Sequence, residues 1–285
     1  MWGEPTPLDR LPANLAVPFV ALADRIGFPP VMNYAGYVLD NWYRLDKSGP
    51  IALENLVMDQ HFAGGQDENW FVLVHVAIEA EAGRALELAV KLVQASDTGD
   101  AAAVEALLLD MHAVWDAINA IFDRMVEKCD PYIYFNRVRP YINGWKNNPA
   151  MPGGLIYDGV ARFDGKPQAL RGQTGSQSSI VPTMDALFQV VHSGDELRDF
   201  LLELHQYRPR THRAFIEDMQ AASGLRAFAV TQSPTLKAAF NACVEQVARF
   251  RSRHLEYAAA YINKQASNAA GNDPHVGTGG TPFMK

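Results

Sequence analysis

Apolar residues recur at helical spacing along most of this chain. Residues Asn69 to Gln94 place Phe71, Val74, Ile78, Ala82, Leu86, Ala89 and Val93 on one side, an i, i+3, i+4 pattern. Ala101 to Cys129 repeats it with Val104, Leu107, Leu108, Met111, Trp115, Ile118, Phe122, Met125 and Val126. Asp97, Thr98, Gly99 and Asp100 break the two runs. The pattern predicts a short helix from Leu11 to Gly27, stopped by Pro29-Pro30, and another from Val31 to Tyr43. Asp130-Pro131 ends one helix and opens the next, which runs through Trp145, because proline suits a first turn. Further helices are predicted over Ser178–His192, Glu196–Tyr207, Thr211–Ala222 and Pro234–Lys264. No alternating segment suggests a sheet.

Residues 146–177 change character, with Pro149, Pro152, Gly153, Gly154, Gly159, Gly165, Pro167, Gly172 and Gly175. They predict a long loop, with a short hairpin around Leu155-Ile156-Tyr157. Loops of this length in compact chains are functional or disordered. From Gln265 onward the tail is polar and rich in Gly, Asn and Thr. The expected fold is all-α: one helix bundle over residues 1–285, with a long Gly/Pro-rich inter-helical loop and a mobile C-terminal loop at 266–285.

Composition narrows the function classes. Hydrophobic residues make up 48% of the 285 and charged residues 20%, enough apolar material for a sizeable core. A formal net charge of -7 argues against a nucleic-acid partner and against docking on an anionic membrane through a basic face. Two cysteines, Cys129 and Cys243, exclude a disulfide framework, a four-thiolate zinc site and a thiolate-held iron–sulfur cluster. They also make a reducing cytoplasm the simplest home. No apolar run reaches the roughly 18 residues of a membrane span, and the first residues lack a secretory pattern.

Candidate chemistry lies in histidines and arginines. His61, His112, His192, His205, His212 and His275 sit in polar or mixed settings and read as surface residues. His75 lies between Phe71 and Ile78 on an apolar stripe. His254 follows Phe240, Val244, Val247 and Phe250 on another. A buried imidazole costs free energy unless its nitrogens find partners, and a single one most often bonds a backbone carbonyl. Two on separate helices could enclose a flat cofactor, since a neutral imidazole is a standard axial ligand of haem iron. There is no His-Glu-x-x-His, no Cys-x-x-Cys-His and no phosphate-binding glycine motif. Arg137 and Arg139, among Tyr134, Phe135 and Tyr141, are candidate receivers of a ligand carboxylate. Arg251 shares a helix side with His254 and could pair with a haem propionate. The run Gly172 to Ser179 reads either as a flexible connector or as a donor-rich loop over a ligand, ending where Ser178 or Ser179 caps the next helix.

Several strings, in order, resemble the indoleamine 2,3-dioxygenase family from about residue 11 to 285. They are Leu11-Pro12-Ala13-Asn14-Leu15-Ala16-Val17-Pro18; Pro29-Pro30 with Tyr34-Ala35 and Asn41-Trp42; and Arg139 with Gly144-Trp145-Lys146-Asn147-Asn148-Pro149. Gly175-Ser176-Gln177-Ser178-Ser179, Arg251-Ser252-Arg253-His254-Leu255 and Gly277-Thr278-Gly279-Gly280-Thr281 complete the set. Each is weak alone; the ordered set is specific.

The resemblance implies a haem b enzyme that inserts O₂ across the indole C2–C3 bond of L-tryptophan or a close analogue, giving an N-formylkynurenine-type product. It implies His254 as proximal iron ligand, Arg251 on a propionate with Asp185 organising its surroundings, and Ser176 along the haem edge. Arg139 would bind the substrate carboxylate. Tyr34, Phe71, Tyr134 and Phe135 would wall the pocket, and Thr278 would lie on a closing loop. Two departures stand out. His75 replaces the serine usual in animal members and resembles the distal histidine of tryptophan 2,3-dioxygenases, which accepts a hydrogen bond from the indole N–H. Tyr37 adds bulk and a hydroxyl where a small residue is familiar. The chain begins close to the catalytic region, so most of the family's small N-terminal domain is expected to be missing, and a homo-oligomer could cover the distal side. Monooxygenation of a modified indole and non-catalytic O₂ sensing are the alternative readings.

Overall fold

The computed structural model describes residues 8–192, 196–265 and 273–277. Its frame is three long helices. Helices α2 (Gln66–Asp97) and α3 (Ala101–Asp123) form a hairpin across a tight turn in which Gly99 takes φ +74°. Asp100 caps α3 by accepting the Ala103 N–H at 3.0 Å. Helix α10 (Pro234–Ala258), capped by Ser233 onto the Leu236 N–H, packs along α3. Ala82, Ala85 and Ala89 on α2 are fully buried, so the α2 backbone approaches its partners closely. Trp115, Met111 and Ile118 of α3 and Phe240, Cys243 and Val247 of α10 fill the same core.

Around this frame lie α1 (Ala13–Ile26), the short α4 (Pro131–Ile133) and α5 (Arg139–Ile142), α6 (Ile180–Phe188), α7 (Glu196–His205), α8 (Arg210–Ala222) and α9 (Leu225–Val230). The all-α expectation holds, with differences at the edges. The stretch predicted as a helix over Val31–Tyr43 is a single π turn, Ala35–Leu39, followed by strand β2 (Trp42–Arg44). Strand β2 pairs antiparallel with β3 (Leu56–Met58). The helix predicted through Trp145 stops at Ile142, after a π turn at Tyr134–Val138. The last long helix ends at Ala258 in a third π turn, Ala259–Asn263.

The Gly/Pro-rich segment is ordered by long-range bonds, not by a local hairpin. Strand β4 (Ile156–Tyr157) pairs in parallel with β1 (Arg10–Leu11), and Leu155 bridges to Gln168. Trp145 and Lys146 N–H both donate to the Leu170 carbonyl, and Gln173 N–H donates to Ile142 O. The backbones of Gly144 and Gly172 touch: a β-carbon on Gly144 would fall 2.1 Å from the Gly172 nitrogen. Tyr157 donates to Pro30 O at 2.6 Å and accepts from Trp145 Nε1 at 3.0 Å. These contacts carry the segment from Arg139 to the loop ahead of α6. Among the described residues no helix is long and apolar enough to cross a membrane.

Candidate active site

Helix α2 presents His75 with its tautomer fixed. The Nδ1–H donates to the Phe71 carbonyl at 2.7 Å, one helical turn back, which leaves Nε2 as an acceptor. Burial pulls the imidazole pKa down from 6.5 to about 4, and the neighbouring His254 adds to the effect. Nε2 looks towards Gly175, where a β-carbon would sit 3.7 Å away. Aromatic rings surround His75: Phe71 at 4.7 Å, and Tyr34 edge-on at 6.1 Å between ring centres.

His254 does not lie in the packed core, as its apolar stripe suggested. Protein encloses it, and this burial lowers its pKa, yet its side chain keeps a large accessible surface. Its imidazole is therefore surrounded by the fold but not packed into the core. Among the described residues it makes no hydrogen bond. One turn back, Arg251 Nη2 donates to Asp185 Oδ2 at 2.5 Å. His192, expected on the surface, bonds the same oxygen at 2.8 Å, and Asp185 Oδ1 is buried with no partner.

The loop beside His75 is held by a residue that the sequence gave no reason to select. Arg208 is buried, and desolvation pulls its pKa down to about 10. Its guanidinium donates to Ser176 O at 2.8 Å and to Ser178 O at 3.1 Å. The Ser176 N–H is 3.4 Å from Thr174 Oγ1. Neither serine forms a strong cap on α6: Ser179 makes no capping bond, and Ser178 Oγ accepts the Ile180 N–H at 3.3 Å. What the structure shows of this loop is its backbone carbonyls accepting from Arg208, not a serine cap on α6.

Of the two candidate carboxylate receivers, Arg137 is exposed and Arg139 is buried. Arg139 lies 5.2 Å over the Phe135 ring and donates from Nη2 to Val276 O, which draws in residues 273–277. Desolvation lowers its pKa, opposed by Tyr134 and Asp273. Tyr134 and Phe71 rings meet at 4.8 Å and Phe71 meets His75, so ring contacts run from Tyr134 to His75, with Arg139 in electrostatic reach of Tyr134. Tyr37 is buried next to this wall and donates its hydroxyl to Glu68 Oε1 at 3.1 Å. Glu68, wholly buried and not anticipated from sequence, also accepts the N–H groups of Phe62, Ala63 and Gly64. It thereby pins a loop whose Phe62 stacks on Tyr141 and leans on Tyr37. Thr278 lies outside the described residues.

Among the described residues no cluster of three or more His, Cys, Asp or Glu side chains could cage a metal ion. The arrangement instead fits a haem, which needs a single axial imidazole and cationic partners for its propionates. Among the described residues His254 supplies an accessible imidazole without a hydrogen-bond partner, and Arg251 stands one turn away.

The sequence is similar to known proteins. The sequence model of the family described as Indoleamine 2,3-dioxygenase matches residues 1–285. Indoleamine 2,3-dioxygenase 1 of Rattus norvegicus is 35% identical over 286 residues, covering 96% of this chain and 70% of the relative. Indoleamine 2,3-dioxygenase 2 of Homo sapiens is 34% identical over 297 residues, covering 99% and 71%. A 6-hydroxytryptophan 2,3-dioxygenase of Fusarium equiseti is 28% identical over 260 residues, covering 90% and 63%. The chain belongs to the indoleamine 2,3-dioxygenase family, a family of haem-dependent dioxygenases.

Proposed function

We propose that residues 1–285 form one catalytic domain that oxidises L-tryptophan, or a close indole analogue, to an N-formylkynurenine-type product. The observation that carries this reading is the juxtaposition of His75 and His254, close enough to influence each other's charge, beside an aromatic wall that ends in buried Arg139. His254 would hold the haem iron and Arg251 a propionate, with Asp185 orienting the guanidinium and Ser176 bordering the haem edge. The bound haem supplies the O₂ activation that no side chain can provide. Both oxygen atoms enter the substrate, the C2–C3 bond breaks, and the products are a formyl amide and a ketone, so no reductant is consumed in the balance.

The chain's own residues bind and orient. Arg139 meets the substrate carboxylate with a charge-assisted, bidentate bond in a dry setting. His75 stays neutral at physiological pH because burial holds its pKa near 4. With Nδ1–H committed to Phe71, its Nε2 accepts the indole N–H, and that bond together with Arg139 fixes the ring at two points. Tyr34, Phe71, Tyr134 and Phe135 form the apolar walls that exclude water, Tyr37 narrows the space near Glu68, and Thr278 closes the site. The relative named for 6-hydroxytryptophan supports a substrate class wider than tryptophan alone. Both cysteines are free and buried, which accords with a reducing compartment.

The test is aerobic turnover by the reduced, haem-loaded protein with L-tryptophan, 6-hydroxytryptophan and 1-methyltryptophan. Ring-opened product is expected from the first or second, and little from the third, which has no indole N–H to donate. No ring-opened product from any indole would overturn the assignment.

A further inference from the structure

Glu79 lies one helical turn beyond His75 on α2, half-buried, and takes no part in the proposed reaction. It meets two hydroxyls. Ser178 Oγ–H donates to Glu79 Oε1 at 2.7 Å, and the Tyr34 hydroxyl lies within interacting reach of both Glu79 and Ser178. Desolvation raises the pKa of this carboxyl against the pull of the two hydroxyl donors.

Each partner leads back to the site. The Tyr34 ring stands edge-on to His75, and its backbone N–H is fixed by Gln177 Oε1 at 2.8 Å. Gln177 in turn donates to Gly172 O at 2.8 Å. Ser178 belongs to the turn whose Gly175 faces His75 Nε2, and its carbonyl is held by Arg208. Three elements around His75 from different parts of the chain meet at this one carboxyl: the segment after Pro30, helix α2 and the serine loop.

The geometry points to Glu79 as a positioning residue that, through Tyr34 and Ser178, locks the pocket wall and the serine loop onto the face of His75. It deepens the function proposed above by giving the distal imidazole a single orientation. A carboxyl that accepts from Ser178 with the Tyr34 hydroxyl beside it is rigid in a way that an apolar contact is not, because rotating a hydroxyl away leaves a polar atom unpaired. Glu79→Ala strands both hydroxyls and removes the link. Glu79→Gln keeps an acceptor for Ser178 and offers an N–H to the Tyr34 oxygen.

The readout is the C–O stretching band of the ferrous haem–carbon monoxide adduct, which reports how uniformly the distal side is ordered and needs no indole turnover. The full-length haem-loaded protein is expected to give one narrow band. E79A should split or broaden it and weaken L-tryptophan binding, followed by absorption titration, by about tenfold, the size of one lost buried hydrogen-bonding arrangement. E79Q should restore the single band. An unchanged band in E79A, or a band in E79Q as disordered as in E79A, overturns the proposal. If E79A fails to load haem, Ser178→Ala and Tyr34→Phe carry the test: a broadened band in both supports the link, and a single narrow band in both overturns it. Should the wild-type protein open no indole ring, the assigned reaction fails, while the band comparison still decides the role of Glu79.

Discussion

A neutral His75 has a measurable consequence for stability. In the unfolded chain its imidazole titrates near the ordinary 6.5, and in the folded protein near 4. Between these values the unfolded state holds a proton that the folded state lacks, so acidification favours unfolding. The stability tied to the neutral ring is fully present above pH 6.5 and is lost as pH falls towards 4. The complete loss is about 3 kcal/mol at 1.36 kcal/mol per pH unit. Between pH 7 and pH 5 it comes to about 2 kcal/mol. The perturbation is His75→Asn, which removes the titration and keeps a polar side chain of similar reach. Urea unfolding of wild type and variant, each at both pH values, gives the stability difference directly. Other groups titrate in both proteins and cancel to first order. The wild type should lose about 2 kcal/mol relative to the variant on going from pH 7 to pH 5. A difference constant to within about 0.5 kcal/mol would refute the reasoning. His75 would then titrate like a solvated imidazole, and a permanently neutral acceptor for the indole N–H would lose its basis.

Three further outcomes follow from the same geometry. Arg139→Leu should weaken L-tryptophan binding by about 30-fold or more, the scale of about 2–5 kcal/mol for truncating one partner of a buried charge pair, and leave 3-methylindole, which has no carboxylate, within about twofold; absorption titrations of the haem protein measure both. His254→Ala should abolish or greatly reduce the haem absorption band after reconstitution, and an unaltered band would remove this residue as the iron ligand. Gly144→Ala forces a methyl group against the Gly172 backbone at 2.1 Å and should cost about 2 kcal/mol or more, lowering the calorimetric melting temperature by about 5 °C.

The long helices were legible because their apolar stripes run for many turns, and the stops beside Asp100 and Ser233 have ordinary capping chemistry. The two small sheets were not. Strands of two or three residues are too short to show alternation, and β1 meets β4 across about half the chain. Helix α9, six residues behind Gly224, is too short to display a period. In the site, His75, His254 and Arg139 stood out because polar groups interrupt apolar stripes or sit among aromatics. Glu79 did not. It reads like Glu81 two positions later, which forms an ordinary surface pair with Arg84 at 2.6 Å. Ser178, 99 residues downstream, and Tyr34, 45 residues upstream, set Glu79 apart. Arg208 and Glu68 were missed for the same reason: a charged residue in a polar stretch reads as solvated until the chain folds over it.

The departures from helical periodicity fall at the site itself. In an α-helix, residues five apart diverge by about 140° (five steps of about 100°), so Tyr134 and Arg139 would not face the same space. In the π turn Tyr134–Val138, the Arg139 N–H bonds back to Tyr134 O, an i to i+5 closure that returns the two residues to the same side. Their side chains then lie near enough for Tyr134 to raise the Arg139 pKa. The turn Ala35–Leu39 is closed by Asp40 N–H on Ala35 O and delivers Tyr37 to Glu68 just after Tyr34 meets Glu79. The turn Ala259–Asn263 follows His254 on the same helix and sets the Tyr261 ring edge-on to Tyr134 at 5.7 Å. A π turn is a less favourable closure than an α turn and persists where surrounding contacts hold it, often at functional sites. Here all three carry or flank residues of the proposed pocket. A scan for period 3.6 therefore loses register where the wall is built, and the residues it misplaces, between Val31 and Tyr43 and between Pro131 and Trp145, are those whose directions the site depends on.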